Sequence, residues 1–175
     1  MTWVDDAVVD GNITYSVSLT AASGDSNYAA KTSAVTVVNV DNDIAGISVS
    51  AISGTTTEAG GSATFTVRLT SEPLQNVTVN LTNNDATEGS VSTTAVVFTP
   101  ANWSVPVPVT VSGVDDFVDD GDITYNITLE AFSTDVGYLG LTNARSVVNV
   151  DNDTAGLSVS AISRSTNEFG KTATF

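Results

Sequence analysis

The sequence predicts an all-β protein, a seven-stranded antiparallel β-sandwich of the immunoglobulin-like type in tandem repeats of about 110 residues. Two observations carry this prediction. Apolar residues alternate with polar ones in short runs, which is the period of a strand with one buried face. Residues 4–65 also align with residues 114–175 at a constant offset of 110, with 37 of 62 positions identical. A repeat of this length is typical of a string of autonomous domains rather than of a solenoid.

The alternation predicts the strands of one complete repeat. SATFTVRL from Ser62 and ITYNITL from Ile123 place every second, apolar side chain on one face. VPVPVTV from Val105 alternates in the same way, but Pro106 and Pro108 cannot donate to a ladder and so favour an edge or bulged strand. Clusters of Gly, Asn, Asp and Pro separate the runs, as expected for turns. The predicted strands lie near residues 46–52, 62–70, 76–83, 93–98, 105–112, 123–131 and 144–150.

The repeat boundaries divide the chain into three parts. Residues 46–155 form a complete repeat, residues 1–45 are the back part of a preceding copy, and residues 156–175 are the front of a following one. Neither end piece holds enough strands to bury a core by itself. We therefore expect the end pieces to be frayed, or paired with each other or with neighbouring molecules.

The composition disfavours several classes of function. The chain has 20 Asp and Glu against 5 Lys and Arg, a formal net charge of −15, which repels nucleic acid and anionic membrane surfaces. No apolar run approaches the roughly 20 residues of a membrane helix, so membrane insertion is not predicted. Without Cys or His, the chain has no disulfides, no thiolate or imidazole metal ligands and no Ser-His-Asp chemistry. The mixture is rich in Thr, Ser, Val, Asn and Gly and poor in Lys, which indicates a secreted, extracellular or cell-surface protein.

The chain is not predicted to be an enzyme. Neighbouring carboxylates such as Asp119 and Asp120 are the groups that glycosidases use as acid and base. No insertion that would form a cleft accompanies them, so no catalytic residue is assigned.

The acidic residues of the complete repeat are predicted to gather at one end of the sandwich. If each of the seven strands reverses direction, the first, third and fifth connections meet beside the end of the last strand. Ten of the 13 acidic residues in 46–155 fall in these segments. Carboxylates held close together repel one another, by about 1 kcal/mol per pair at 4 Å in water, and so require a counter-ion. Solvated turns are the alternative for any single loop, but converging oxygen ligands favour Ca²⁺ over Mg²⁺, which keeps its waters.

Four segments, in order along the complete repeat, resemble the Calx-beta domain. This domain is the calcium-binding sandwich of sodium–calcium exchangers and of many bacterial surface proteins. The segments are TEAGGSATFTVRL, NNDATEGSV, VVFTPANWSVPVPVTVSGVDD and VVNVDND. The chain departs from the family pattern where Ala86 replaces a Gly, where Asp120 replaces the Glu of exchangers, and where Asn152 stands inside the closing acidic triplet.

The resemblance implies a set of calcium ligands. In the complete repeat the ligands would fall on Glu58, Asp85, Asp115, Asp116, Asp120, Asp151 and Asp153, with a backbone carbonyl near Val118. The truncated copies keep matching pieces of this set, which form partial sites: Asp5, Asp6, Asp10, Asp41, Asp43 and Glu168. Neither truncated copy completes a site alone.

The function predicted from these features is mechanical. The chain is expected to be a calcium-binding structural repeat of a large extracellular or cell-surface protein, a stalk or adhesin whose domain junctions are stiffened by Ca²⁺. Its expected partners are the neighbouring repeats of the same chain. The alternatives are a module that binds a glycan or a cell-surface protein, a non-catalytic domain of a large secreted enzyme, and a regulatory calcium sensor. Few exposed aromatic residues are predicted, with Trp103 the candidate for stacking on a sugar, which disfavours the glycan alternative.

Overall fold

Alternating apolar side chains build an all-β structure. The structure is a computed structural model that describes residues 4–175, and no helix is present among them. It follows that this part of the chain contains no helix able to cross a membrane. The strands are β1 (Ile13–Thr20), β2 (Thr32–Asn39), β3 (Ile47–Val49), β4 (Thr56–Thr57), β5 (Ser62–Leu69), β6 (Val77–Asn83), β7 (Gly89–Val91), β8 (Ala95–Phe98), β9 (Val107–Gly113), β10 (Ile123–Phe132) and β11 (Thr142–Val150).

Strands β3 to β11 form two sheets that pack as a β-sandwich. One sheet has the order β4-β11-β10-β6-β8 and the other has the order β3-β5-β9-β7. All neighbours are antiparallel except β4 and β11, which run parallel. Each of the predicted strands is present, but β4 and β7 are additional. The predicted count of seven strands is therefore not confirmed, whereas the all-β class and the sandwich are.

The core lies between the two sheets, because the inward side chains of each strand are apolar. Phe65, Val67 and Leu69 of β5 are fully buried, and so are Ile127 and Leu129 of β10. Burying an aliphatic or aromatic side chain of this size contributes about 1.5–3 kcal/mol each. The alternation that predicted the strands therefore also supplies most of the stabilisation of the sandwich.

The two prolines lie where the ladder is incomplete. Pro106 precedes β9, and Pro108 pairs with Thr66 of β5 on one side only. On the other side β7 reaches only from Val111 to Gly113 of β9. The first half of β9 is therefore an edge, in agreement with the expectation from the prolines.

A separate hairpin, β1–β2, lies before the sandwich. Its register, from Ile13↔Asn39 to Thr20↔Thr32, is that of β10–β11 with 110 subtracted from every number. The turns also match, since Ala21 N donates to Lys31 O and Ala131 N donates to Leu141 O, both at 2.8 Å. The hairpin unit contacts the sandwich through Ala7, whose carbonyl accepts a hydrogen bond of 2.6 Å from Glu72 N.

Residues 151–175 contain no strand. Within them, Ser163 N donates to Thr174 O at 2.9 Å, as Ser53 N donates to Thr64 O in the sandwich. Most side chains of this segment are exposed. The prediction that the end pieces are frayed or paired with other molecules stays a prediction, as does the division at residues 45 and 155.

Candidate metal centre

Four acidic segments meet at one end of the sandwich, as the strand directions predicted. The parallel pairing of β4 with β11 brings Glu58 beside the end of β11, where Glu58 N donates to Val150 O at 3.1 Å. Asn152 N in turn donates to the Glu58 carboxylate at 3.0 Å. The loop between β9 and β10 reaches the same place, because Gly121 N donates to Asp151 Oδ2 at 2.7 Å. Carboxylates that are up to 95 residues apart therefore share one small volume.

The first group of carboxylates consists of Glu58, Asp151 and Asp153. One oxygen from each lies within 4.8 Å of the others. Glu58 is only 3% exposed. Asp153 Oδ2 is buried and has no hydrogen-bond partner, a condition found for no other side-chain oxygen or nitrogen within residues 4–175. An unpaired buried carboxylate oxygen is costly, because its desolvation is not repaid by a partner.

The pKa values in this group show the electrostatic cost of bringing the carboxylates together. Desolvation, together with repulsion from Asp151, raises the pKa of Asp153. The hydrogen bond from Asn152 N lowers the pKa of Glu58, but desolvation and repulsion from Asp151 outweigh it, so the pKa is raised. Hydrogen bonds from the backbone N–H groups of Asp153 and Gly121 lower the pKa of Asp151. Within this group the charged form is therefore favoured at Asp151 and disfavoured at Glu58 and Asp153.

The second group of carboxylates consists of Glu88, Asp116 and Asp120, whose oxygens also lie within 4.8 Å of one another. Glu88 is buried, whereas Asp116 is half-buried and Asp120 is exposed. Asn149 of β11 donates to Glu88 Oε2 at 3.3 Å and to Val114 O at 3.1 Å. Two clusters of three carboxylates thus lie at the same end of the sandwich.

Buried polar side chains form hydrogen bonds with Asn149, the residue that donates to Glu88 of the second group. Thr56 donates to Asn149 Oδ1 at 3.1 Å, and its hydroxyl lies 3.3 Å from that of Tyr125. Burial raises the pKa of Tyr125, so the phenol stays neutral and available as a donor. A Cβ on Gly89 would collide with the Tyr125 ring, so the residue after Glu88 packs directly on it. This contact draws Glu88 inward.

The two groups contain five of the ligands implied by the resemblance, namely Glu58, Asp116, Asp120, Asp151 and Asp153. The remaining three implied ligands, Asp85, Asp115 and Val118, lie nearby but outside both groups. Asp85 Oδ1 accepts hydrogen bonds from the hydroxyl and the backbone N–H of Thr87, which lower the pKa of Asp85. Asp115 accepts from the Asn152 amide at 3.3 Å, and Val118 O accepts from Asp120 N at 2.9 Å.

Glu88 is the group member absent from the implied ligand set. Strand directions had placed it at the acidic end, but nothing in its spacing distinguished it from a solvated loop residue. The available sequence signal is Gly89, since a glycine directly after an acid permits close packing against a large side chain. Knowing that Tyr125 occupies that space required the fold.

The residues that were predicted to form partial sites lie in two separate places. Asp5, Asp6, Asp10, Asp41 and Asp43 line one pocket beside the first hairpin. Asp41 Oδ2 accepts from Gly11 N at 2.7 Å, which repeats the bond between Asp151 and Gly121. Desolvation and repulsion from Asp41 raise the pKa of Asp43, as they do for Asp153. Glu168 is exposed in the last segment and belongs to neither group.

Comparisons with known proteins assign no family. No family model matches the chain, and no curated protein matches it. Among solved structures, the chain is similar to the ASH / PapD-like domain of human CEP192 (PapD-like domain 7), with 8% sequence identity and a TM-score of 0.46. The similarity covers 62% of this chain and 87% of that one.

Two chaperones are further structural neighbours. The periplasmic chaperone SfaE matches at 7% identity and a TM-score of 0.41 over 66% of this chain. The E. coli chaperone DraB matches at 10% identity and a TM-score of 0.40 over 63% of this chain. The match spans 60% of SfaE and 56% of DraB.

The predicted membership of the Calx-beta family is wrong. No family model supports it, and the structural neighbours are PapD-like domains and chaperones rather than Calx-beta domains. The four segments that suggested the family consist largely of Val and Thr, which suit strands, and of Gly, Asn and Asp, which suit turns, and β-sandwiches use these residues regardless of family. The geometry of the carboxylates does not depend on that assignment.

Proposed function

We propose that the chain is a calcium-binding structural repeat of a large extracellular or cell-surface protein, acting as part of a stalk or adhesin. The observation that carries the proposal is the group Glu58, Asp151 and Asp153, in which Asp153 Oδ2 is buried without a partner. A carboxylate oxygen in this condition is suited to a cation. With no His or Cys in the chain, the available donors are oxygens, which Ca²⁺ prefers.

The tandem arrangement is part of the proposal. It is supported by the identical register of β1–β2 and β10–β11 at an offset of 110 residues. It is also supported by the repeated bond between an aspartate and a glycine, Asp41 with Gly11 and Asp151 with Gly121. A sandwich unit with such neighbours on both sides is typical of a mechanical repeat.

The position of the carboxylates suggests how calcium stiffens the chain. Asp151 and Asp153 directly follow β11, and by the predicted repeat bounds the next copy begins at residue 156. An ion held by these two residues and by Glu58 ties the end of β11 to the segment between β3 and β5 of the same repeat. The junction then loses rotational freedom, and the repulsion among the carboxylates is neutralised.

Calorimetric titration with CaCl₂ and thermal melts in CaCl₂ and in EDTA test the proposal. Extracellular calcium modules bind at roughly 10⁻⁴ to 10⁻³ M. At about 10 mM CaCl₂, binding of that strength stabilises the fold by about 1.4–2.7 kcal/mol and raises the Tm by several degrees. Melts in MgCl₂ and in NaCl of equal ionic strength control for general screening of the net charge of −15. A Tm that is equal in CaCl₂ and in EDTA contradicts the proposal.

A further inference from the structure

Two separate segments of the first hairpin unit contact the connection between β5 and β6 of the sandwich. Ala7 O accepts a hydrogen bond of 2.6 Å from Glu72 N, and Val8 pairs with Glu72 as an isolated parallel bridge. Ile44 O accepts a hydrogen bond of 2.6 Å from the Thr70 hydroxyl. The first unit is therefore held at two points, and two points restrict a rotation that a single linker allows.

The residues that lead from the hairpin into β3 are also packed against the sandwich. Ala45 is half-buried and packs against the hydrophobic core. Thr70 N donates to Gly46 O at 3.0 Å, and a Cβ on Gly46 would collide with the Thr70 hydroxyl. The chain therefore enters the sandwich in close contact with the residues that follow β5, and not as a free coil.

This contact joins opposite ends of two successive units. Ala7 lies in the loop 5–11, the counterpart at an offset of 110 of residues 115–121 at the acidic end of the sandwich. Glu72 follows β5 and Glu58 precedes it, so Glu72 lies at the other end. A contact between two different surfaces can recur in the same direction along a row of units, whereas a symmetric contact closes as a pair.

The sandwich unit has the corresponding surface at the apex of its own β9–β10 loop. Phe117 and Val118 are the counterparts of Ala7 and Val8 at the offset of 110. Ala7 and Val8 are half-buried, whereas Phe117 is 93% exposed and Val118 is 56% exposed. The contact made by the first pair therefore indicates which surface the second pair fits.

We propose that the apolar pair at the apex of the β9–β10 loop is the surface by which each repeat binds the β5–β6 connection of the repeat that follows. In this chain Ala7 and Val8 are the bound pair, and Phe117 and Val118 are by equivalence the surface for the next repeat. The inference rests on the tandem arrangement proposed above and names the residues of its junction. The contact joins uncharged groups, so it does not itself need an ion and adds to any stiffening by calcium.

The distance between two spin labels, one on each unit, tests whether the junction is fixed. The chain has no Cys, so Thr36→Cys in β2 and Asn80→Cys in β6 place the labels at two exposed positions. Pulsed electron paramagnetic resonance then gives the distance distribution in the full chain. A fixed junction gives one narrow distance, whereas a free linker over residues 40–45 spreads the distance over about 10 Å. A spread of that size in the otherwise unchanged chain overturns the proposal.

Two variants of the labelled chain identify the contact. Val8→Asp places a carboxylate beside Glu72, and Thr70→Val removes the hydroxyl that donates to Ile44 O. Each is expected to widen the distribution toward that of a free linker. Val118→Asp is the matched control, because it makes the same change in the counterpart loop, at the other end of the sandwich from the junction. It should leave the distribution narrow.

The outcomes with the variants either support the contact or exclude it. A distribution that stays narrow in both Val8→Asp and Thr70→Val overturns the proposal, because these residues then do not hold the junction. Equal widening by Val118→Asp shows a general effect of added charge and overturns it as well. Circular dichroism checks that the sandwich is folded in each variant, and Val8→Ser replaces Val8→Asp if it is not, with Val118→Ser as its control.

Measurements in CaCl₂ and in EDTA separate this proposal from the calcium site. A narrow distribution in both solutions, with a Tm that is equal in both, supports the junction and contradicts the calcium proposal. A Tm raised by CaCl₂, with a broad distribution in both solutions, supports the calcium proposal and overturns the junction. A distribution that is narrow only in CaCl₂ supports the contact and contradicts its independence of calcium.

Discussion

Asp153 is the residue at which repulsion between carboxylates is set most directly against the proposed metal binding. One of its oxygens is buried without a partner, and its pKa is raised by desolvation and by Asp151. Replacing it by Asn keeps the shape and removes the charge. In EDTA we expect Asp153→Asn to raise the Tm, because like charges no longer face each other. In CaCl₂ we expect the calcium-induced rise in Tm to fall by half or more, because the ion loses a ligand.

Glu130→Gln is the matched control for this prediction. Glu130 is an exposed carboxylate near the end of β10, away from the acidic end of the sandwich. The change should leave the Tm in EDTA and its rise in CaCl₂ as they are in the unchanged protein. Thermal melts of both variants in both solutions make the comparison. An unchanged calcium response in Asp153→Asn contradicts the assignment of Asp153 as a ligand.

The sequence predicted the individual residues of the candidate site less completely than it predicted the fold. Glu58, Asp151 and Asp153 were implied ligands, and the structure brings them together. Asp85 was implied as well, but its carboxylate is occupied by Thr87 two residues away. Glu88 was not implied, since its burial depends on the contact of Gly89 with Tyr125. Which carboxylate faces a site depends on local hydrogen bonds and packing that spacing alone does not reveal.

Among the elements, the first hairpin carries a conformational strain that its counterpart lacks. Ala30 has φ 58, the only residue other than glycine with positive φ among those described, and the equivalent position is Gly140 with φ 76. A left-handed conformation costs a residue with a Cβ about 1–2 kcal/mol, of which part is offset by the freedom that glycine adds to the unfolded chain. We expect Ala30→Gly to stabilise the hairpin by about 0.5–1 kcal/mol.

Hydrogen exchange of the β1–β2 amides in dilute solution measures this effect. The predicted gain slows exchange about two- to fivefold if the hairpin opens as a unit. Ala29→Gly is the control, because Ala29 lies in the same turn with negative φ and gains nothing from glycine. Faster exchange in both variants contradicts the prediction, because the freedom that glycine adds to the unfolded chain then outweighs the relief of strain at residue 30.

Sequence predicted the longer strands and also the three-residue β3, which lies within a longer alternating run, but it did not predict the short strands β4 and β7. The strands with four or more alternating residues were found because alternation needs several residues to be visible. β4 has two residues and β7 has three, too few to show a period. Their pairing is set by β11 and β9, which lie far away in sequence. β4 nevertheless positions Glu58, so the element that the pattern missed is one that builds the site.

For the whole molecule, the five basic residues provide a test of which parts are folded. Lys171 and Arg164 lie in the exposed last segment, and Lys31 lies in the turn of the first hairpin. Arg145 donates to the carbonyls of Val49 and Ser50 across the sandwich. We expect trypsin to cut after Lys171 and Arg164 first and after Lys31 next, leaving the sandwich with Arg68 and Arg145 intact.

The digestion is carried out at a low protein concentration, so that the molecules do not self-associate. The fragments are identified by mass spectrometry. Cleavage after Arg145 as fast as after Arg164 contradicts a stable sandwich over residues 46–155. Survival of all 175 residues contradicts an exposed last segment.

The class of fold was predictable for the whole molecule because it depends on period and composition, which the sequence displays directly. The family was not, and the Calx-beta prediction was wrong. Turn and strand compositions are shared among β-sandwiches, so a series of short similar segments does not distinguish one family from another. The internal offset of 110 residues is a firmer observation, since it compares the chain with itself.

The parallel pairing of β4 with β11 determines the stage of folding at which the sheet can be completed. Thr56 and Asn149, which are hydrogen-bonded to each other, are 93 residues apart, so the sheet stays open until the last strand is available. Non-local pairing of this kind folds slowly. At about 5–20 residues per second, a ribosome needs roughly 5–20 s to supply one repeat. Throughout that interval the carboxylate clusters are unassembled, so the proposed calcium site exists only after β11 has paired with β4.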